Sequence, residues 1–595
     1  MKKVFWAALC LAGVLLLLSA CRERPAPDTV LVFLEEARGC TVEENGRRVP
    51  VGEDAVFTLR LDRGWSLTDT DYAGAFDISV LERTATLTLR EVRYPTRVGL
   101  CLASRYCTVT YEANGGLPVR GGALRESRTY DLALHARPNT AQGADLFVRE
   151  GYTLTGWNTC ADGSGDAVGL GSRVSVPAGG VTLYAQWARW SAAEDFTWRQ
   201  TQEGAAVTGY HGTDRVAVIP ERLDGRPVTS VEAGAFDGCA AAQVVLPPTL
   251  LDVAPGAFQN CALETVTLFD GIRSVADGSF QNCPALRTLR INAMEAPFGY
   301  AWRKESCYAD KMDLLILTQG QRRAVFYGGC SMWYNLDGLQ AQQALGDGYR
   351  VVNLGLNGTV NSPVQMQILG AFLGDGDIVI HTPELSSRQQ MLLRTAMGEQ
   401  DDKLWCGIEN NYDLFALVDL STVEGVFDSL CRYLSQKNAR ASYAQTYRDE
   451  YDQPYMDRLG CIPFFRSGTQ DDLPDRVFLD PALIDREAME RLGAYYAWFQ
   501  SRGARVYVSC ACVNLDAVPE GQRGNAALLD GLLQEAVGRM EGVALISALE
   551  DYLYQNEDFF DTNYHLVTQA AQKNTALWLR DLRAQMERDG VWEGV

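Results

Sequence analysis

Ser331, Asp561 and His565 are the side chains whose types could do covalent chemistry. A serine hydroxyl is a weak nucleophile until a positioned base takes its proton. An imidazole can do so when a carboxylate orients its ring. Of the four histidines in the chain, only His381 and His565 fall in the last 290 or so residues. Ser331 follows Gly328-Gly329-Cys330, directly after the apolar run Arg323–Tyr327. His565 stands four residues after Asp561, where a long helical pattern opens. The plainer reading of His565 is a local hydrogen bond at a helix start. Read together with Ser331 it becomes the base, and Asp561 its orienting acid. The backbone N–H groups of Ser331 and Gly358, with the Asn357 side chain, are the candidate oxyanion donors. Cys330 reads as a packed turn residue. Glu384 and His381 stand together in His381-Thr-Pro-Glu384 as candidate supporting residues of the site; Glu384 is either a supporting acid or substrate ligand, or a solvated loop carboxylate.

These residues need elements to carry them. From about residue 300, short apolar runs alternate with longer helical stretches. Strands are expected at 323–327, 350–354, 377–381, 505–509 and 543–546. Helices are expected at 337–345 and 362–373, across an excursion at 384–440 and 483–502, and finally at 565–588. Alternating strand and helix implies a parallel sheet covered on both faces. Ligands in such folds sit beyond the carboxyl ends of the strands. Ser331, Gly358, Glu384 and His565 all fall at those places.

This order of blocks resembles the SGNH/GDSL hydrolase superfamily across residues 300–595. Gly329-Cys330-Ser331 stands for its first block, Gly358 with Asn357 for its second, and Asp561-x-x-x-His565 for its last, with one extra residue between acid and base. The Gly-x-Asn-Asp block is absent, and His381-Thr-Pro-Glu384 stands in its place. The resemblance implies a three-layer, flavodoxin-like α/β domain. It also implies serine esterase or acyltransferase chemistry through an acyl-enzyme, with no metal and no cofactor.

Three modules precede that domain. Residues 31–104 alternate apolar and polar positions between turn residues such as Asn45-Gly46, which reads as a small all-β module. Residues 105–189 carry Cys107-Thr-Val-Thr-Tyr111, Asn114-Gly115-Gly116, Gly151-Tyr-Thr-Leu-Thr-Gly-Trp157 and Val181-Thr-Leu-Tyr-Ala-Gln-Trp187. These resemble an internalin-type B-repeat, the Listeria–Bacteroides repeat, with a β-grasp-like fold. Trp157 and Trp187 serve such a module as core rings or as sugar-stacking platforms; the core is the commoner place for large rings in so small a domain. Within 197–295, valine, glycine, phenylalanine and cysteine each recur every 22 residues, as Val231/253/275, Gly234/256/278, Phe236/258/280 and Cys239/261/283. A fixed period with one short strand per turn predicts a solenoid. The pattern resembles BspA-type leucine-rich repeats, and it places the three cysteines in one reduced interior ladder. The solenoid is a partner-binding face, for a host or bacterial surface protein, or a rigid spacer.

Residues 1–20 read as a lipoprotein signal peptide: Lys2 and Lys3, an apolar run to Leu18, then Ser19-Ala20-Cys21. The last residues resemble a lipobox, implying lipid on Cys21, a tether over 21–30 and a place on the extracellular face of the bacterial membrane. The chain carries a formal charge of −21, and the leader holds two lysines and no acid. So acidic a protein is not a general nucleic-acid binder. Sixteen cysteines include no paired C-x-x-C sets of zinc type. Two functions are expected from this organisation. One is an anchored esterase or acyltransferase acting on an acylated cell-wall polymer or extracellular glycan, for example by O-deacetylation. The other is a surface adhesion or glycan- or protein-binding lipoprotein whose last domain is a degenerate hydrolase.

Overall fold

The computed structural model describes residues 29–592 apart from 120–124, 130–142, 175–179, 295–307, 357–361, 385–396, 398–401, 440–458 and shorter breaks. The expected signal peptide, Cys21, Asn357 and Gly358 lie outside the described residues. Two compact units are distinguished, one made mainly of the chain up to Thr108 and the other mainly of Val109 onward.

The first unit is all β. Thr29–Leu34 pairs with Arg47–Pro50 on one side and, in parallel, with Thr96–Val98 on the other. Strand thus begins inside the segment expected as tether. A second sheet runs in the order Cys40–Val42, Glu53–Leu61, Thr84–Val92, Phe76–Leu81. Alternation explains both sheets: Val30, Val32 and Leu34 are buried, as are Ala55, Phe57, Leu59 and Leu61, while the residues between them point outward or are only partly covered.

The second unit opens with the B-repeat. Tyr106–Glu112 pairs in parallel with Val181–Arg189, which pairs antiparallel with Tyr152–Asn158. Trp157 is a core ring, edge-on to Tyr111 at 5.0 Å and to Phe147 at 5.8 Å. Trp187 is half-buried and its indole N–H donates to the Ala113 carbonyl.

The 22-residue period folds as a solenoid of parallel strands. Val231, Val253 and Val275 pair in one ladder, and Val244 pairs with Val266 in a second. Tyr210, Phe236, Phe258 and Phe280 stack at 4.9, 4.6 and 4.9 Å between centroids. The cysteine line forms beside them, but only Cys261 is fully buried; Cys239 and Cys283 are half-buried. The Cys261 and Cys283 thiols donate to the carbonyls of Phe236 and Phe258, one coil back.

The last domain is a five-stranded, all-parallel sheet. Its elements are β1 (Arg323–Gly328), α1 (Cys330–Asn335), α2 (Gly338–Leu345), β2 (Arg350–Gly355), α3 (Ser362–Phe372) and β3 (Ile378–Thr382). They continue with α4 (Asp402–Ile408), α5 (Val426–Ala439), α6 (Arg486–Ser501), β4 (Arg505–Val508), α7 (Ala526–Gly538), β5 (Val543–Leu545) and α8 (Thr568–Arg588). The strand order is β2-β1-β3-β4-β5, the 2-1-3-4-5 order of doubly wound folds. Both faces are buried: Val325 and Tyr327 of β1 pack on one side, Ala324 and Phe326 on the other. At the amino ends of β1 and β3, buried Arg323 pairs with buried Asp377, Nε to Oδ1 at 3.0 Å.

The solenoid and this domain share one core. Phe427 of α5 stacks on Phe280 at 4.7 Å, so the α/β domain covers the open end of the ring stack. That answers the exposed end every short solenoid has. The B-repeat joins the same unit, where the Gly169 N–H donates to Asp413 and that of Ala293 to the Leu170 carbonyl.

Candidate active site

Ser331 is the second residue of α1 and is buried. The chain leaves β1 at Gly328 and enters the helix at Cys330. Gly329 leaves room between them for Glu384: a Cβ there would lie 2.3 Å from its Oε1, so a larger residue would push that carboxylate aside. The end of β2 approaches as closely, since a Cβ on Gly355 would meet the Trp333 amide nitrogen at 2.2 Å.

Glu384 follows β3 and is buried against Ser331. The Ser331 hydroxyl donates to its Oε1 at 2.7 Å, and the Ser331 N–H donates to the same oxygen at 3.1 Å. Two expectations change here. The Ser331 hydroxyl does not bond to His565, and the Ser331 N–H is already engaged where an oxyanion donor was expected. The physical reason is strand adjacency: β3 lies beside β1, so the residues ending both strands converge. Glu384 is therefore not a solvated loop carboxylate.

His565 and Asp561 form a buried pair, Nδ1 to Oδ1 at 2.7 Å. Nε2 of His565 is buried and has no hydrogen-bond partner among the described residues. The final helix begins at Thr568, later than the spacing predicts. His565 instead sits in a turn closed by a bridge between Phe559 and Leu566, with the Phe560 N–H donating to the His565 carbonyl.

That turn is fastened to α1. The His565 ring lies flat on Tyr334, with centroids 3.6 Å apart and planes 3° from parallel. Asn335 grips both neighbours of His565: its Nδ2 donates to the Tyr564 carbonyl at 2.8 Å, and its Oδ1 accepts from the Leu566 N–H at 2.8 Å. Arg466 adds a second clamp, donating to the carbonyls of Tyr334 and Leu566 at 2.6 and 3.0 Å. Burial pulls its guanidinium below the ordinary arginine value, against the opposing pull of Asp561. Ser331 and Tyr334 are three residues apart on α1 and so share one face. The nucleophile candidate and the Asp561–His565 pair are thus held on the same short helix.

Sequence reasoning missed Asn335 and Arg466. Asn335 carried a weak signal, a polar residue in an otherwise apolar stretch; Arg466 lies in a segment with no periodicity. His381 takes a different place. It is buried in β3 with Nδ1 2.5 Å from the Tyr496 hydroxyl and its ring near Tyr327, so its contacts run toward α6. Burial pushes its pKa down to about 3. Cys330 is half-buried at the start of α1. Among the described residues no cluster of His, Cys, Asp and Glu is placed to hold a metal.

Residues 225–301 match the family model described as BspA type leucine rich repeat region, and residues 107–186 match the Listeria-Bacteroides repeat domain. Two proteins of Evansella cellulosilytica are similar over short stretches. One, named "Putative Gly-rich membrane protein", is 36% identical over 78 residues, 13% of this chain. Another, named "Putative membrane protein", is 42% identical over 65 residues, 11% of this chain. The chain spans 9% of the length of each. A solved leucine rich repeat protein of T. pallidum aligns at 24% identity over 23% of this chain and 61% of its own, with a TM-score of 0.17. No helix among the described residues is long and apolar enough to cross a membrane. The chain is a multidomain repeat protein that joins a Listeria-Bacteroides repeat and a BspA-type leucine-rich-repeat solenoid to a parallel α/β domain.

Proposed function

We propose that this is a surface-associated lipoprotein whose last domain is an SGNH-like serine esterase or acyltransferase acting on an acylated cell-wall or extracellular glycan. The observation that carries the reading is the buried Asp561–His565 pair, with its unpartnered Nε2, fastened to the helix that bears Ser331. A buried nitrogen without a partner costs free energy. Such a cost is retained where the group awaits a proton donor. In the reaction the Ser331 hydroxyl turns from Glu384 toward His565 and attacks the acyl carbonyl. Its proton passes to Nε2, and Asp561 stabilises the imidazolium. The leaving hydroxyl of the glycan takes that proton back, and water or a second hydroxyl then accepts the acyl group from Ser331. Gly358 and Asn357 remain the proposed oxyanion donors. The relatives' printed names and the two repeat modules support a surface setting, with lipid on Cys21 as its anchor and the solenoid as a face for a surface protein.

The test is labelling with a serine-directed fluorophosphonate, together with hydrolysis of a short-chain aryl acetate. Labelling at Ser331 and turnover are both expected, and both are expected to vanish in Ser331→Ala and in His565→Ala. Wild-type protein that neither labels nor exceeds the Ser331→Ala background sinks the enzymatic reading. The engagement of Ser331 by Glu384 then favours a binding protein with a degenerate hydrolase domain.

A further inference from the structure

A cleft of about 620 Å³ opens between α3, α6 and the loop at residues 417–424. A second, of about 450 Å³, lies against the last solenoid coil at Pro284 and Arg287. The two share Ser421 and Glu424 in their linings, so they are neighbours on either side of the 419–424 segment.

The lining has a specific chemistry. Trp498 forms an aromatic wall, and its ring is braced from behind: a Cβ on Gly370 would lie 2.2 Å from it. A glycine in the body of a helix is costly, and here it lets the ring lie flush against the α3 backbone. Tyr495 stands beside Trp498 on the same side of α6. The polar groups lining it are of mixed sign, Asp419 and Glu424 with Arg491, and Asp419 already accepts from Ser421 and pairs with Arg287 at 3.6 Å. Arg491 donates to Glu487 through Nη1 at 2.8 Å, while its Nε is buried without a partner among the described residues. The wall is also fixed in place: Gln367 donates to Thr422 and accepts from the Asp419 N–H, tying the loop to α3.

A ligand of one charge meets both attraction and repulsion in such a cleft. A sugar hydroxyl donates and accepts at once, so it satisfies carboxylates and guanidinium alike. The apolar face of a pyranose suits a braced indole. Two neighbouring clefts suit several linked rings better than one small molecule. We infer that this double cleft binds an uncharged oligosaccharide, as a site separate from Ser331 and independent of whether Ser331 reacts.

Affinity electrophoresis of the full chain tests this, in native gels containing glucomannan, arabinoxylan, glycogen, mixed-linkage β-glucan, soluble chitin oligomers or, as the charged control, polygalacturonate. Retardation on at least one uncharged polymer is expected. Glu424→Gln and Arg491→Gln should each weaken it about tenfold, the scale of losing a hydrogen bond to a charged group. Trp498→Phe should weaken it while keeping a ring against Gly370. Ser331→Ala should bind like wild type, which separates this site from the proposed chemistry. The inference is overturned if no uncharged polymer retards the protein, if only polygalacturonate does, or if both charge variants bind unchanged while melting at the wild-type temperature.

Discussion

Ser331 is held by Glu384 through two hydrogen bonds to one carboxylate oxygen, 2.7 Å from its hydroxyl and 3.1 Å from its N–H. In the proposed reaction that grip must loosen before Ser331 can give its proton to His565. Weakening it should therefore speed attack. Glu384→Gln is expected to raise the rate of fluorophosphonate labelling at Ser331 about tenfold, the order of one hydrogen bond to a charged group. Labelling that drops to the Ser331→Ala level would instead make Glu384 a required partner of the serine.

The clamp around His565 has its own signature. Asn335→Leu leaves the side chains of Ser331, Asp561 and His565 chemically unchanged but removes both bonds to the residues flanking the imidazole. Turnover of the aryl acetate should fall by about a hundredfold, the penalty for small misplacement of a catalytic group. Asn335→Asp, which retains the acceptor for the Leu566 N–H, should recover part of that loss. Equal turnover in wild type and Asn335→Leu would show that the clamp does not position His565.

Phe258 lies between Phe236 and Phe280 in the ring stack and is fully buried. Phe258→Ala should cost about 3–5 kcal/mol and Phe258→Leu less. Urea unfolding followed by far-ultraviolet circular dichroism measures both. A loss well under 1 kcal/mol for the alanine variant would mean the ring is not part of the core.

Asp377 accepts from the backbone N–H and the guanidinium of Arg323, both residues being buried. Removing one partner strands the other. Asp377→Ala should destabilise by about 3–5 kcal/mol, and the double change to Arg323→Met with Asp377→Leu should restore much of the loss. A double variant no better than the single one contradicts this account.

His381 contributes a pH dependence of known sign. Its folded pKa lies near 3, against an ordinary 6.5, because the sheet and helices around it exclude water. Between those values the unfolded chain binds a proton that the folded chain refuses. Stability is therefore fully present above about pH 6.5 and declines on acidification toward pH 3, by about 1.4 kcal/mol per pH unit from this residue. Thermal melts of wild type and His381→Asn across that window should differ in slope by one proton; parallel curves would exclude His381 as a source.

Much of the architecture is legible in the residues. The 22-residue spacing of Val231, Phe236 and Cys239 specifies the solenoid, because a period of that length admits one coil per repeat. Apolar runs such as Ile378-Val-Ile specify strands buried on both faces. The local geometry of the site was harder to read. Asp561 and His565 have the spacing of one helical turn, yet they sit in a non-helical turn, since the bridge between Phe559 and Leu566 overrides local propensity. The bond from Ser331 to Glu384 spans 53 residues and depends on which strands are neighbours. Arg466 acts through two backbone carbonyls, which no side-chain pattern announces.

The stack that runs through Phe236, Phe258 and Phe280 ends on Phe427, which belongs to no repeat. To the last coil, helix α5 presents the same ring that another coil would have offered. At this contact the joint is therefore periodic: losing or gaining 22 residues brings an equivalent phenylalanine to the same socket. Copy number and docking are decoupled there, so recombination within the array has a route to lengthen or shorten this protein without inventing a new junction.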